Sequence, residues 1–373
     1  MRNIIKRFIV LTTIPFLLSG CWDQRLLKEQ KLILLIGYDK GHNGKIISNT
    51  DYPISKGVQN NSASTTKSTI LTTEGETALD TLLHADLNIS EKIDISKAQV
   101  VLFGEEMARQ GLYKELDHIY RNPKGALGAK VAIIEGKARD AVRIKQEEAN
   151  LNGQYYDEYL KSGEATGFFT NYNVQSVCPL LLKHTKDPLL PLLKISPERH
   201  RARSIGMALF NNEKMTGKLN VSESKMFLLL NGEKKQKVSF LLNTNNQDSQ
   251  KEFIVIEILN NRQKTKLSVK NEAVTAILSS KLQYRITEYP KDQLTNPILL
   301  KKLNKTIQKR LTKKAEKTIA KLQAANCDGF GIEEEIRVHH HQLWKEKYKN
   351  ADIKNIPIKA KLDLELINSG IIN

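Results

Sequence analysis

Residues 98–121 read AQVVLFGEEMARQGLYKELDHIYR. The apolar run from Val100 to Phe103, closed by Gly104, has the length of a strand buried on both faces and is too short for a core helix. The next segment, EEMARQGLYKELDHIYR, mixes charged and apolar residues over helical length. The order then repeats, with AKVAIIEG (129–136) as a strand and KARDAVRIKQ (137–146) as a helix. Strands alternating with helices predict α/β layers, here within a mixed α+β chain of several packed modules. The glycines after these strands do not make a phosphate-binding loop.

Working upstream, LILLIGYDK (32–40) predicts a strand, Asp39, Gly41, Asn43 and Gly44 a turn, and KIISNTDYPI (45–54) the returning strand. The polar stretch 60–69, NNSASTTKST, carries no chemistry. Ala78, Leu79, Leu82 and Leu83 are spaced for one apolar helix face.

Downstream, Pro179, Pro188, Pro191 and Pro197 break the apolar stretch 168–197 into short elements and set a module boundary near residue 200. The chain thus divides into a leader (1–20), an N-terminal region (21–200) and a C-terminal region (201–373). The latter opens with a hairpin, Ile205, Met207 and Leu209 returning as Met215, Gly217 and Leu219 around Asn211-Asn212. Ser222 is expected to cap a helix through Leu230. KVSFLLN, EFIVIEILN and KTKLSVK predict three strands, with Asn260-Asn261-Arg262 as the turn between the last two, and AVTAILSSKLQYRITEY continues the sheet.

The most regular element spans 297–326. Asn296 caps it, Pro297 fits its first position, and Leu300, Leu303, Ile307, Leu311, Ala315, Ile319 and Leu322 form one stripe. Its other face is basic, Lys305, Lys309 and Lys313 among nine cations against the single acid Glu316, which suits an acidic partner or anionic lipid. Beyond it, GIEEEIRV predicts a strand, QLWKEKYKN a short helix and IPIKAKLDLELI a long strand.

The 373 residues carry a net charge of +17, which implies an anionic partner: headgroups, wall polymer, nucleic acid or acidic protein. The N-terminus narrows this choice. Arg2, Lys6 and Arg7 precede a short apolar run from Phe8 to Leu18, and Ser19-Gly20 supply small residues for processing. This reads as an export signal, which removes nucleic acid from the set.

Cys21 then has four readings: disulfide, metal ligand, nucleophile or modified residue. Cys178 and Cys327 are isolated and expected to stay unpaired, no Cys or His stands at ligand spacing from Cys21, and a signal boundary is a poor place for a nucleophile's base. Leu18-Ser19-Gly20-Cys21 resembles a bacterial lipobox, in which the thiol receives a diacylglycerol; two chains, at about 0.8 kcal/mol per buried CH₂, anchor stably.

Catalytic signatures do not emerge: no nucleophile elbow, Walker loop or zinc-binding His-Glu-x-x-His. Consecutive His339, His340 and His341 point in different directions and converge poorly on an ion. Glu333, Glu334 and Glu335 read as a polar strand face, and Asp328-Gly329-Phe330-Gly331 as a turn. Neither cofactor nor metal is expected. A solute-binding lipoprotein remains an alternative, to be recognised by a deep polar pocket between two similar lobes.

With these segments in order, the chain resembles the Ger(x)C family, the lipoprotein C subunits of nutrient germinant receptors in endospore-forming bacteria. The resembling residues are Gly20-Cys21-Trp22-Asp23, Gly37-Tyr38-Asp39, VVLFGEEMARQGL (100–112), GMALFNNEKMTGKLNVSESKMFLLL (206–230), Asp328 to Gly331, and Trp344. The resemblance implies a three-domain lipoprotein on the outer face of the spore's inner membrane, without turnover of its own, beside integral membrane A and B subunits. Trp22 and Asp23 would then sit at the membrane interface, where an indole is favoured.

Overall fold

The computed structural model describes residues 29–56, 65–144, 151–183, 186–196, 198, 200–232, 238–245, 252–291, 294–349 and 351–368. The leader, Cys21, Trp22, Asp23 and part of the 60–69 stretch lie outside the described residues.

The N-terminal region runs β1 (Gln30–Leu32), β2 (Leu35–Lys40), β3 (Ile46–Lys56), β4 (Thr65–Gly75), α1 (Ala78–Asp86), β5 (Lys92–Asp94), β6 (Val100–Gly104), α2 (Glu105–Gln110), α3 (Tyr113–Arg121), β7 (Lys130–Ile134), α4 (Ala138–Val142), α5 (Asn152–Ala165), α6 (Val174–Lys183) and β8 (Leu189–Ser196). It continues as β9 (Arg201–Asn211), β10 (Lys214–Asn220), α7 (Val221–Leu230), β11 (Val238–Asn243), β12 (Phe253–Lys270), β13 (Ala273–Glu288), α8 (Pro297–Ala324), α9 (Ile332–His339) and β14 (Ile358–Asn368).

An eight-stranded sheet, ordered β10-β9-β8-β7-β6-β2-β3-β4, forms the centre. Its middle pairs β8·β7, β7·β6 and β6·β2 are parallel, while hairpins make both flanks antiparallel. Every residue of β6 and β7 is buried, as parallel strands covered on both faces require. Alternate residues serve opposite cores. Val100 and Leu102 join the cluster shared with α5, whereas Val101 and Phe103 face α1, α3 and α6. The boundary expected near residue 200 falls between two hydrogen-bonded neighbours, β8 and β9.

The second sheet has four strands, β11-β12-β13-β14. Because β13 and β14 are parallel, the chain must cross over between them, and α8 with α9 makes that crossing. Leu303, Ile307, Leu311, Ala315, Ile319 and Leu322 of α8 pack on the sheet, in the same core that reaches back to Leu35 and Leu102 of the first sheet.

Several sequence expectations change. The helix expected over 105–121 is two helices, because Gly111 takes φ 139°, a conformation L side chains rarely adopt. Asn220, not Ser222, caps α7, in a capping box with Glu223. Asn260-Asn261-Arg262 is no turn; β12 runs on for 18 residues with a bulge between Ile258 and Asn260. Its turn lies at Asn271-Glu272, both at positive φ. GIEEEIRV is the helix α9, not a strand, with Ile332 and Ile336 buried one turn apart. Finally, the apolar face expected at residues 78–83 splits: Ala78 and Leu82 are buried, Leu79 and Leu83 exposed.

Candidate functional site

Lys305, Lys309 and Lys313 stand at successive turns of α8, all exposed, and among the described residues none of them joins an ion pair. The C-terminal part of the same basic face is otherwise engaged. Lys314 Nζ donates to Ser222 Oγ at 2.7 Å and Lys321 Nζ to Glu223 Oε2 at 2.7 Å, with Lys317 3.8 Å from Glu223. Burial lowers the Lys314 pKa. The basic stripe is therefore divided: its distal lysines fasten α8 to the first turn of α7, while Lys305, Lys309 and Lys313 meet solvent, as do Lys301 and Lys302 before them.

The motif residues serve joints and caps. Asp39 accepts from the N–H groups of Ala138 (2.7 Å) and Arg139 (2.8 Å), closing the N-terminus of α4. Burial raises its pKa while those two bonds oppose the rise. Asp328 does the same for α9, accepting from Ile332 and Glu333, each at 2.8 Å. Burial pushes this carboxyl up to about 7, the two N–H bonds opposing and Asp187 adding to it. Asp187, which nothing in its sequence context singles out, ties three segments together. Its carboxylate accepts from the N–H of Asn212 at 2.7 Å and from that of Asp328 at 2.7 Å, and its own N–H donates to the Asp328 carbonyl at 3.1 Å.

A cleft of ≈ 240 Å³ opens at this joint, lined by Asp187, Asn212, Asn326, Asp328, Glu333 and Asp352 among others. Its carboxylates already serve protein donors: Asp352 accepts from Asn326 Nδ2 at 2.7 Å and pairs with Lys354 at 2.8 Å. The units flanking the cleft, sheets of eight and four strands, are not the two similar lobes of a solute-binding cleft.

The tail residues disperse. Glu333 accepts from Trp344 Nε1 at 3.0 Å, Glu334 pairs with Arg337, His339 lies 3.4 Å from Glu335, and His341 packs on Trp344 with ring centroids 5.5 Å apart. Among the described residues no three His, Cys, Asp or Glu side chains are grouped to hold a metal ion.

Cys178 and Cys327 are both buried and not joined to each other. Burial pushes the Cys178 thiol up to about 12 and Cys327 well above its ordinary value. Since the thiolate is the reactive form, neither should react with a chromogenic disulfide reagent until the protein unfolds. Release of even one thiol equivalent from folded protein whose Cys21 is blocked would contradict this placement.

In class, the protein is a multi-domain α+β chain whose motif residues hold helices and joints in place. Residues 23–195 match the spore germination protein N-terminal domain, and residues 205–370 match the spore germination B3/GerAC-like C-terminal domain. The chain belongs to this GerAC family of spore germination proteins. Spore germination protein GerQC of Bacillus cereus is 24% identical over 375 residues, covering 98% of this chain and 99% of that protein. Spore germination protein KC of Bacillus subtilis (strain 168) is 21% identical over 410 residues, covering 100% and 97%. The crystal structure of the GerBC protein shares the fold, with a TM-score of 0.60 at 16% identity over 89% of this chain and 97% of that one.

Proposed function

We propose that this protein is the lipid-anchored C subunit of a nutrient germinant receptor, a non-catalytic accessory working beside integral membrane A and B subunits on the outer face of the spore's inner membrane. The observation that carries the reading is the match of both spore-germination domains, in order, to residues 23–195 and 205–370. Two features support it. Leu18-Ser19-Gly20-Cys21 has the residues of an acylation site behind an export signal, and no helix of the described residues is long and apolar enough to cross a membrane. Cys21 then carries the diacyl anchor, with Trp22 and Asp23 at the interface. A tagged copy captured from detergent-solubilised spore membranes should bring down two multispanning subunits. Capture of neither, with the protein present in those membranes, would defeat the reading.

Lys305, Lys309 and Lys313 are the cations of α8 placed to meet an acidic surface on those subunits or anionic lipid. Changing all three to Glu should impair germination while moving the melting temperature by little, since exposed charges contribute about 0–1 kcal/mol to folding. Normal germination at normal protein levels would return this face to plain solvation.

A further inference from the structure

Among the described residues, helix α1 is covered on one side only. Ala78, Leu82 and Ala85 are buried beneath it, yet Leu79, Leu83 and Leu87 repeat at every fourth position with 49%, 55% and 83% of their surface exposed. At about 1.5 Å per residue these three leucines make a ridge roughly 12 Å long. Single exposed leucines are ordinary on a protein surface, but two on one helix with a third at its C-cap, all in register, are a patch that wants a cover.

The ridge also borders a groove of ≈ 530 Å³ whose apolar lining includes Leu82, Ile93 and Ile95. Gln30 lines the same groove, and Gln30 opens β1, the first strand of the described chain. The chain therefore reaches the folded body beside the ridge. Eight residue steps separate Cys21 from Glu29, and eight extended residues span at most about 26–29 Å. An acyl-bearing Cys21 cannot be farther than that from Glu29, the residue before the groove-lining Gln30.

Charge on the rim is balanced. Lys92 and Lys124 line the groove together with Asp86 and Asp94, whose Oδ1 atoms accept from Ile93 N–H and Ser96 N–H, each at 2.7 Å. The apolar ridge itself, beside the end of the chain that carries the anchor, is what suits this face to a bilayer interface.

We infer that the Leu79–Leu83–Leu87 ridge docks on the same outer leaflet that holds the Cys21 acyl chains, laying α1 in the headgroup–acyl boundary. The inference rests on the anchored-subunit reading and adds a protein surface to the lipid anchor. It gives the folded body a second attachment to the leaflet and thereby an orientation, which one point of attachment does not define.

The test uses the full-length acylated protein in phosphatidylethanolamine–phosphatidylglycerol vesicles with a fraction of doxyl-labelled phosphatidylcholine. An environment-sensitive fluorophore is placed at Leu83→Cys, at Leu87→Cys in a second variant, and at Lys264→Cys on exposed β12 as the reference. Flotation measures anchoring independently of the label. Floated protein should lose about half or more of its fluorescence at positions 83 and 87, as expected for insertion of roughly 5–10 Å, and little at 264. Floated protein with all three labels equally unquenched overturns the docking and leaves the anchor standing. Labels at 83 and 87 shielded from aqueous iodide yet untouched by doxyl lipid also overturn it, because residues 22–28 or another protein then cover the ridge. Failure to float overturns both the docking and the anchored reading.

Discussion

Spores carrying Cys21→Ala should lose the protein from their membrane fraction and respond poorly to the receptor's nutrient, the largest functional effect expected of any single change. The mechanism is a matter of concentration. A tethered subunit meets its partners at an effective concentration set by the tether, and removing the anchor lowers the apparent avidity by about 100-fold or more. Residue 21 lies well before the first described strand at Gln30, so the variant should fold as well as the parent, and its far-ultraviolet circular dichroism and melting curve separate a lost anchor from a lost fold. Membrane association and nutrient response both unchanged in this variant would mean that protein contacts hold the subunit in place.

The largest stability effect should come from Gly206→Ala. Gly206 lies on β9 at φ 138°, and an added Cβ would stand 1.8 Å from the Leu219 carbonyl oxygen of β10. That oxygen is backbone in the neighbouring strand and cannot swing aside as a side chain would. Relief therefore needs the β9–β10 hairpin to part just before Asn220, the residue that caps α7. The resulting cost is about 3 kcal/mol or more, enough to lower the melting temperature by roughly 4 °C or more in a chain of this size. Gly128→Ala is the control, since nothing lies within 4 Å of its added Cβ. Equal melting temperatures for the two variants would sink the steric argument.

Much of the architecture was legible because the signals were local. Runs such as Val100–Phe103 and Val131–Ile134 announce doubly covered strands, and the apolar repeat of α8, with Asn296 and Pro297 at its start, fixes that helix from the residues alone. The errors fell where a single residue decides between continuation and interruption. Asn260-Asn261-Arg262 has the composition of a turn but pairs in register with Gln283, Leu282 and Lys281 of β13, directly after the bulge between Ile258 and Asn260. GIEEEIRV alternates enough to suggest a strand, yet Asp328 caps its first turn, three glutamates sit at its N-terminus and Arg337 and His339 near its C-terminus, an arrangement the helix dipole favours. That signal was present in the sequence. The role of Asp187 was not, because its partners Asn212 and Asp328 lie 25 and 141 residues away and only the assembled sheet brings them together. The outer leucines of α1 misled for a related reason: spacing reveals that a helix has an apolar side, not how wide a side its neighbours cover.

The Asp187 joint also has a mechanical meaning. Seven inter-strand steps of about 4.8 Å separate β4 from β10, so the eight-stranded sheet is roughly 34 Å wide. At its β10 end the shared core and the Asp187–Asp328 bonds join the two sheets directly among the described residues. The molecule is built as a strut. A displacement applied at the rim near α1 travels across the sheet's hydrogen-bond ladders in series and arrives at α8 as movement of a whole body, with the exposed Lys305, Lys309 and Lys313 carried along.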